Sequence, residues 1–228
     1  GMTLIAAMTS LGFAPIPIHA DVDGGKPPGE TRDVTYFLER MRTIDQLPEL
    51  EDSHTAMEST WDRTGGNNDG SDFKNIQGNR NILLDVDGPG CIHRIFTGEL
   101  GDHVAGTKIQ VFLDNSATPI FDETVDKFFD DKNGPFTYPL VFHKTYPGLL
   151  MPIPFAHHCR VQLVNTDTKP KWGDYWQVTY TTYSKGTNVA SLNWPLSDGE
   201  KKAVDAVCKT WLAAESTPPA PPAPWSVE

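Results

Sequence analysis

Cysteine is scarce: the chain of 228 residues has 3, Cys91, Cys159 and Cys208, and no Cys-x-x-Cys pair. That spacing excludes a zinc ribbon and a disulfide-stapled scaffold. It leaves a buried free thiol as the expectation for Cys91 and Cys159, which sit in strand-like runs. Positive charge is also short, with 19 Lys and Arg against 30 Asp and Glu and a net charge of -11. Such a surface repels polyphosphates and offers no counterion release, so nucleic acid is excluded as a main partner. No apolar run is long enough to cross a bilayer as a helix, and no membrane partner is expected. A Gly-x-Ser-x-Gly elbow, a Gly-x-Gly-x-x-Gly fingerprint and a Walker loop are all missing, which removes the serine hydrolase and nucleotide-binding classes.

What is present is globular: 38% hydrophobic and 21% charged residues, with 19 Gly and 19 Pro that favour a turn-rich fold over a helix bundle. The first residues are an apolar tail, 1–29, whose stretch 2–20 ends in Ile18-His19-Ala20 like a secretory h-region and its cleavage site, so a secreted or periplasmic location is expected. Val34, Phe37, Leu38 and Met41 follow at i, i+3, i+4 and i+7, which predicts a short amphipathic helix capped by Thr31 or Asp33 and ended by Leu47-Pro48. Beyond residue 80 the pattern turns to about seven short β-rich runs bounded by Gly, Pro, Asn and Asp. They cover 81–86, 91–97, 108–113, 120–125, 139–142, 159–165 and 176–183. In the last run Val178, Tyr180 and Thr182 are expected on one face, with Gln177, Thr179 and Thr181 on the other. No helical pattern separates the runs, so the fold class is all-β, mainly antiparallel, a jelly-roll-like β-sandwich over 30–190. Ser197-Asp198-Gly199-Glu200 forms a capping box for a helix of about four turns with Val204, Val207, Cys208, Trp211 and Leu212 on one face. That helix, 191–215, runs into a Pro-rich linker, 216–228, which suggests a following domain in the full protein.

Chemistry concentrates in one Gly-rich loop, Trp61-Asp62-Arg63-Thr64-Gly65-Gly66-Asn67-Asn68-Asp69. An indole offers a flat apolar face to the C–H side of a sugar, while Asp, Asn and Arg supply the directed hydrogen bonds that hydroxyls need. The alternative is a surface loop ordered by an Asp62 to Arg63 pair or an Asx turn. Hydrolysis of a glycoside needs two carboxyls about 5 Å apart for retention or roughly 6.5–9.5 Å for inversion. Asp85 and Asp87 would share a strand face, with Glu99 and Asp102 on the next loop, yet each also fits a turn-forming or exposed acid. Adjacent His157 and His158 point to opposite faces of a strand and cannot converge on one ion. Asp126, Asp130 and Asp131 crowd an acidic loop that could hold calcium, but EF-hand spacing is absent and a solvated face is the simpler reading. No metal or cofactor is otherwise expected.

Four segments, in order, resemble glycoside hydrolase family 172, formerly domain of unknown function 2961. They are Trp61 to Asn67 after the helix at Tyr36 to Met41, the Gly-Pro-Gly turn within Asp87-Gly88-Pro89-Gly90-Cys91-Ile92-His93-Arg94-Ile95-Phe96, the Leu150-Met151-Pro152-Ile153-Pro154-Phe155 stretch, and the Tyr175-Trp176-Gln177-Val178-Thr179-Tyr180 strand. The resemblance implies a jelly roll acting on fructofuranosides or arabinofuranosides in bacteria, assembled as trimers or larger homo-oligomers. It implies that Trp61 stacks on sugar, that Asp62, Asn67 and Asp69 bond hydroxyls, that Arg63 binds sugar oxygens or orients a carboxylate, and that His93 and Arg94 join them as binding residues. The family's Gly-Thr-Glu-Asp-Tyr motif, which carries a catalytic carboxylate in a second jelly roll, has no match, and Ser191-Leu192-Asn193-Trp194-Pro195-Leu196 stands where a basic segment is expected. No catalytic residue is therefore assigned. The expected function is a carbohydrate-active module contributing sugar-binding residues. The alternatives are a non-catalytic carbohydrate-binding or assembly module and a capsid-like shell protein.

Overall fold

The polar-apolar alternation of the β-rich runs resolves into two antiparallel sheets packed face to face. The computed structural model describes residues 29–43, 46, 50–68, 75–144 and 146–217. The apolar tail, Leu47-Pro48, Asp69 and nearly all of the Pro-rich stretch lie outside the described residues. One sheet runs β1 (Ser53–Ser59), β11 (Gln177–Tyr183), β4 (Gly90–Phe96), β8 (Gly148–Leu149) and β7 (Val141–Phe142), with β9 (Ile153–Phe155) also pairing β4. The other runs β2 (Ile76–Gln77), β3 (Arg80–Asp87), β10 (His158–Val164), β5 (Lys108–Leu113) and β6 (Phe121–Thr124). Early strands pair with late ones, β1 with β11 and β3 with β10, which is the wrapping of a jelly roll.

Between the sheets lies one apolar core that includes Ile92, Ile95, Ile109, Val111, Val161, Leu163 and Val178, all fully buried. A second cluster sits on the outer face of the first sheet, where Tyr36 and Phe37 of α1 (Val34–Arg40) cover Cys91, Tyr183 and Val189. The same helix sends Val34 and Leu38 into the main core, so it acts as a clasp between two apolar layers. Asp33 caps it, accepting from the Tyr36 N–H at 2.9 Å, which selects between the two expected caps. Helix α3 (Asp198–Ser216) carries the expected capping box and packs on α1, with Val207 fully buried and the Trp211 indole N–H donating to the Met41 carbonyl at 3.0 Å.

Several expectations need correction. The run 120–125 ends as a strand at Thr124, whose side chain caps a further short helix, α2 (Val125–Phe128). This helix turns Phe128 inward against Phe121 and Phe136. The run 139–142 shortens to β7. Strand β1 escaped the pattern because it is an edge strand with mostly exposed residues, and β8 and β9 are too short to show alternation. Leu212 is not on the buried face of α3: it is 42% exposed. On β11, the face that carries Thr181 is covered by α1, and Thr181 is buried there. Cys91 and Cys159 are buried free thiols, and burial pushes both of their pKa values up.

Candidate functional site

One end of the sandwich is shaped by the loop that follows β1 and the loop that precedes β11. They are stitched by reciprocal bonds: the Thr60 N–H donates to the Trp176 carbonyl and the Trp176 N–H donates to Thr60 Oγ1, both at 3.1 Å. Asp62, 7% exposed, organises the first loop from inside. Its Oδ1 accepts from the Thr64 N–H at 2.9 Å and the Thr64 hydroxyl at 2.6 Å, and its Oδ2 accepts from the Asn68 N–H at 3.1 Å. This is an Asx turn extended into a clasp over residues 62–68. Gly66 leaves room for this clasp, since a Cβ there would lie 2.6 Å from Asp62 Oδ2 and displace the carboxylate from its bonds. Arg63 does not pair with Asp62. It donates to the Trp61 carbonyl at 2.7 Å and lies over the Trp61 ring, 4.6 Å from its centroid. The result is a 51% exposed indole with a guanidinium across one face. Asn67 is exposed on the same loop.

Beside this loop, Tyr175 is also exposed and has φ 59°, with its ring against Gly98, where a Cβ would lie 2.6 Å from Tyr175 Cδ2. The Thr97 hydroxyl and the Gly98 N–H donate to the Asp174 carbonyl at 2.9 and 3.0 Å, fixing this second loop. Glu99 faces the Asp174 carboxyl and lies 3.1 Å from His103 Nδ1. Burial first, then the Asp174 carboxyl, raise the Glu99 pKa against the pull of His103. The acid that Glu99 meets is thus Asp174, not Asp102, a partnership between distant loops that sequence spacing could not show.

Arg94 and His93 stand apart from the loop, on β4. Arg94 donates to Gln177 Oε1 at 3.2 Å and lies 4.5 Å from the Phe96 ring centre. His93 lines a groove under α1, where its Nε2 is 3.0 Å from Thr181 Oγ1, and burial lowers its pKa, favouring neutral imidazole. Asp85 is held 2.7 Å from His158 Nε2, while Asp87 is exposed. The acidic loop is occupied with its own turns: Asp130 accepts from the Lys132 and Asn133 N–H groups at 2.9 and 3.1 Å, which lowers its pKa, and Asp126 accepts from the Gly101 N–H at 2.8 Å. Among the described residues, no three His, Cys, Asp or Glu side chains converge as a metal site.

The loop opens onto a cleft of 340 Å³ between the sheets, with Thr60 and Arg63, the neighbours of Trp61, on its wall. Sequence reasoning missed its other polar residues, Glu58, Asn75, Asn81 and Tyr180.

Residues 51–199 match the family model described as the GH172 first beta-sandwich domain. The chain belongs to glycoside hydrolase family 172. No curated protein matches it. Within this GH172 sandwich the matched region begins just before β1 and ends at the start of α3, so it includes the Trp61 loop, the Tyr175 loop and both sheets. Helix α1, which the match leaves out, nonetheless supplies side chains to both apolar layers of the GH172 domain.

Proposed function

We propose that this GH172 domain binds furanose-containing glycans and positions them for hydrolysis by carboxylates outside the described loops. The observation that carries the reading is the Trp61 loop. Its indole is half exposed and steadied by Arg63, on a backbone that Asp62 holds in shape from within. A flat apolar face beside exposed amide and guanidinium donors suits a sugar ring, which presents C–H groups on one side and hydroxyls around its rim. Asn67 and Arg63 bond sugar oxygens in this reading, and Tyr175 borders the same surface. Secretion and homo-oligomeric assembly belong to the same proposal, drawn from the apolar tail and the family.

A second reading is a non-catalytic binding module. It is favoured by Asp62, the acid nearest the exposed indole in the chain, whose oxygens already accept three loop bonds. The test is a panel of nitrophenyl arabinofuranosides, fructofuranosides and pyranosides, with calorimetry of the matching oligosaccharides on the same protein. Furanoside oligosaccharide binding that Trp61→Ala weakens by about tenfold or more, without turnover by this domain, supports the positioning role. Turnover lost in Asp62→Asn would place the chemistry in the loop itself. Pyranoside binding alone would overturn the furanoside reading.

A further inference from the structure

The cleft between the sheets holds a polar residue where the fold calls for an apolar one. Along β3 and β10, Val161 pairs with Leu84 but Gln162 pairs with Ile82, so Leu83 is bulged out of the ladder. The slip turns the next residue over. Asn81 comes opposite Leu163, a fully buried core residue, and is itself 1% exposed. Its Nδ2 has no hydrogen-bond partner among the described residues, although it lines the cleft. A buried amide without an acceptor opposes folding, so an acceptor delivered by a ligand would relieve a defect built into the fold.

The other walls limit what that ligand is. Glu58 contributes a carboxylate against the guanidinium of Arg63, with Asn75 and the Tyr180 hydroxyl as neutral partners, while the Asp85 carboxylate at the edge is taken up by His158. One acid to one base leaves the walls near neutrality, which favours a neutral ligand over an ion, and the described residues gather no metal-holding group. Trp176 and Val178 give the cleft an apolar floor. Donors, acceptors and an apolar floor together suit a neutral polyhydroxylated ring. At 340 Å³ the space lies near the small end of ligand clefts, which span about 300–1,000 Å³, and fits one ring better than a chain.

We propose that this cleft is a second subsite, taking a single neutral sugar ring whose oxygen accepts from Asn81 Nδ2, with Arg63 as the wall shared with the Trp61 surface. The assignment rests on the carbohydrate reading of the loop and extends it inward. It is tested by recording amide spectra of the ¹⁵N-labelled 228-residue chain with methyl arabinofuranoside and methyl fructofuranoside. The Asn81 side-chain amide and the Val178 and Tyr180 backbone amides should shift saturably, in the native chain and in Trp61→Ala alike. Asn81→Leu, which fills the position with an apolar side chain, should weaken the monosaccharide by about tenfold or more while holding or raising the Tm. If that variant does not fold, Glu58→Gln at the exposed rim should weaken binding instead. Shifts confined to the 60–68 loop would overturn the subsite and leave the loop reading intact. Shifts at Asn81 without any at the loop would uphold the subsite and overturn the loop. No shifts with either sugar, or unchanged affinity in both Asn81→Leu and Glu58→Gln, would also overturn the subsite.

Discussion

At the scale of single residues, Trp61 and Asp62 divide the work of one loop, one presenting a surface and the other holding its shape. Trp61→Ala should therefore change stability by no more than about 0.5 kcal/mol, because the indole is half exposed, while glycan affinity falls by about tenfold or more. Asp62→Ala should do the reverse in order of cause. It leaves loop N–H groups without their acceptor and costs on the order of 1–3 kcal/mol in thermal or denaturant unfolding, with binding lost because the loop loosens. The Glu99 and Asp174 pair makes a pH prediction. Glu99 titrates above its ordinary range in the folded protein, so its contribution to stability is present in acid and lost as the pH rises through the folded value. Asp174→Asn removes the neighbouring carboxyl, so the Tm of the variant should gain on the native protein as the pH rises from acid to neutral. Parallel Tm curves would refute the coupling. The residue types at the loop were legible because Trp, Asp, Arg and Asn crowd a Gly-rich stretch. Asp174 and Asn81 were not, since one finds its partner across loops distant in sequence and the other becomes special only through a bulge.

At the scale of elements, periodicity was a good guide wherever a strand or helix has one wet face, and failed where the face is covered from outside. Lys108–Leu113 is found with the boundaries that its alternation predicts, and the capping box places the start of α3. β1 carries His54, Thr55, Glu58 and Ser59 on an exposed edge and has no apolar signature to read. β11 keeps its alternation, the bulge opposite Thr179 and Tyr180 falling on β4 at His93, but the cover from α1 buries residues on its outer face as well as its inner one. The cap of α3 offers a direct check. Ser197 Oγ accepts from the Glu200 N–H at 3.3 Å and Glu200 Oε2 accepts from the Ser197 N–H at 2.7 Å. Ser197→Ala should thus lower stability by about 1 kcal/mol, read as a fall in Tm of a few degrees, with sugar binding unchanged because α3 packs on α1 and lines neither the loop nor the cleft.

At the scale of the whole molecule, the jelly roll brings the two ends of the chain's pattern together. β1 and β11 are neighbours, so the loop after the first and the loop before the last form one surface, and the cleft between the sheets opens beneath it. That juxtaposition could be drawn from the sequence only through the family landmarks, since strand order is not a local property. The role proposed for this GH172 sandwich is recognition at its rim, and its net charge of -11 suits a neutral substrate better than an anionic one. The most direct test of that role is a calorimetric titration of arabinofuranosyl and fructofuranosyl oligosaccharides into the 228-residue chain and its Trp61→Ala variant. Saturable binding by the native chain, weakened by about tenfold or more in the variant without a change in Tm, is the expected result. Absence of binding to both sugars, or equal binding by the two proteins, would contradict it.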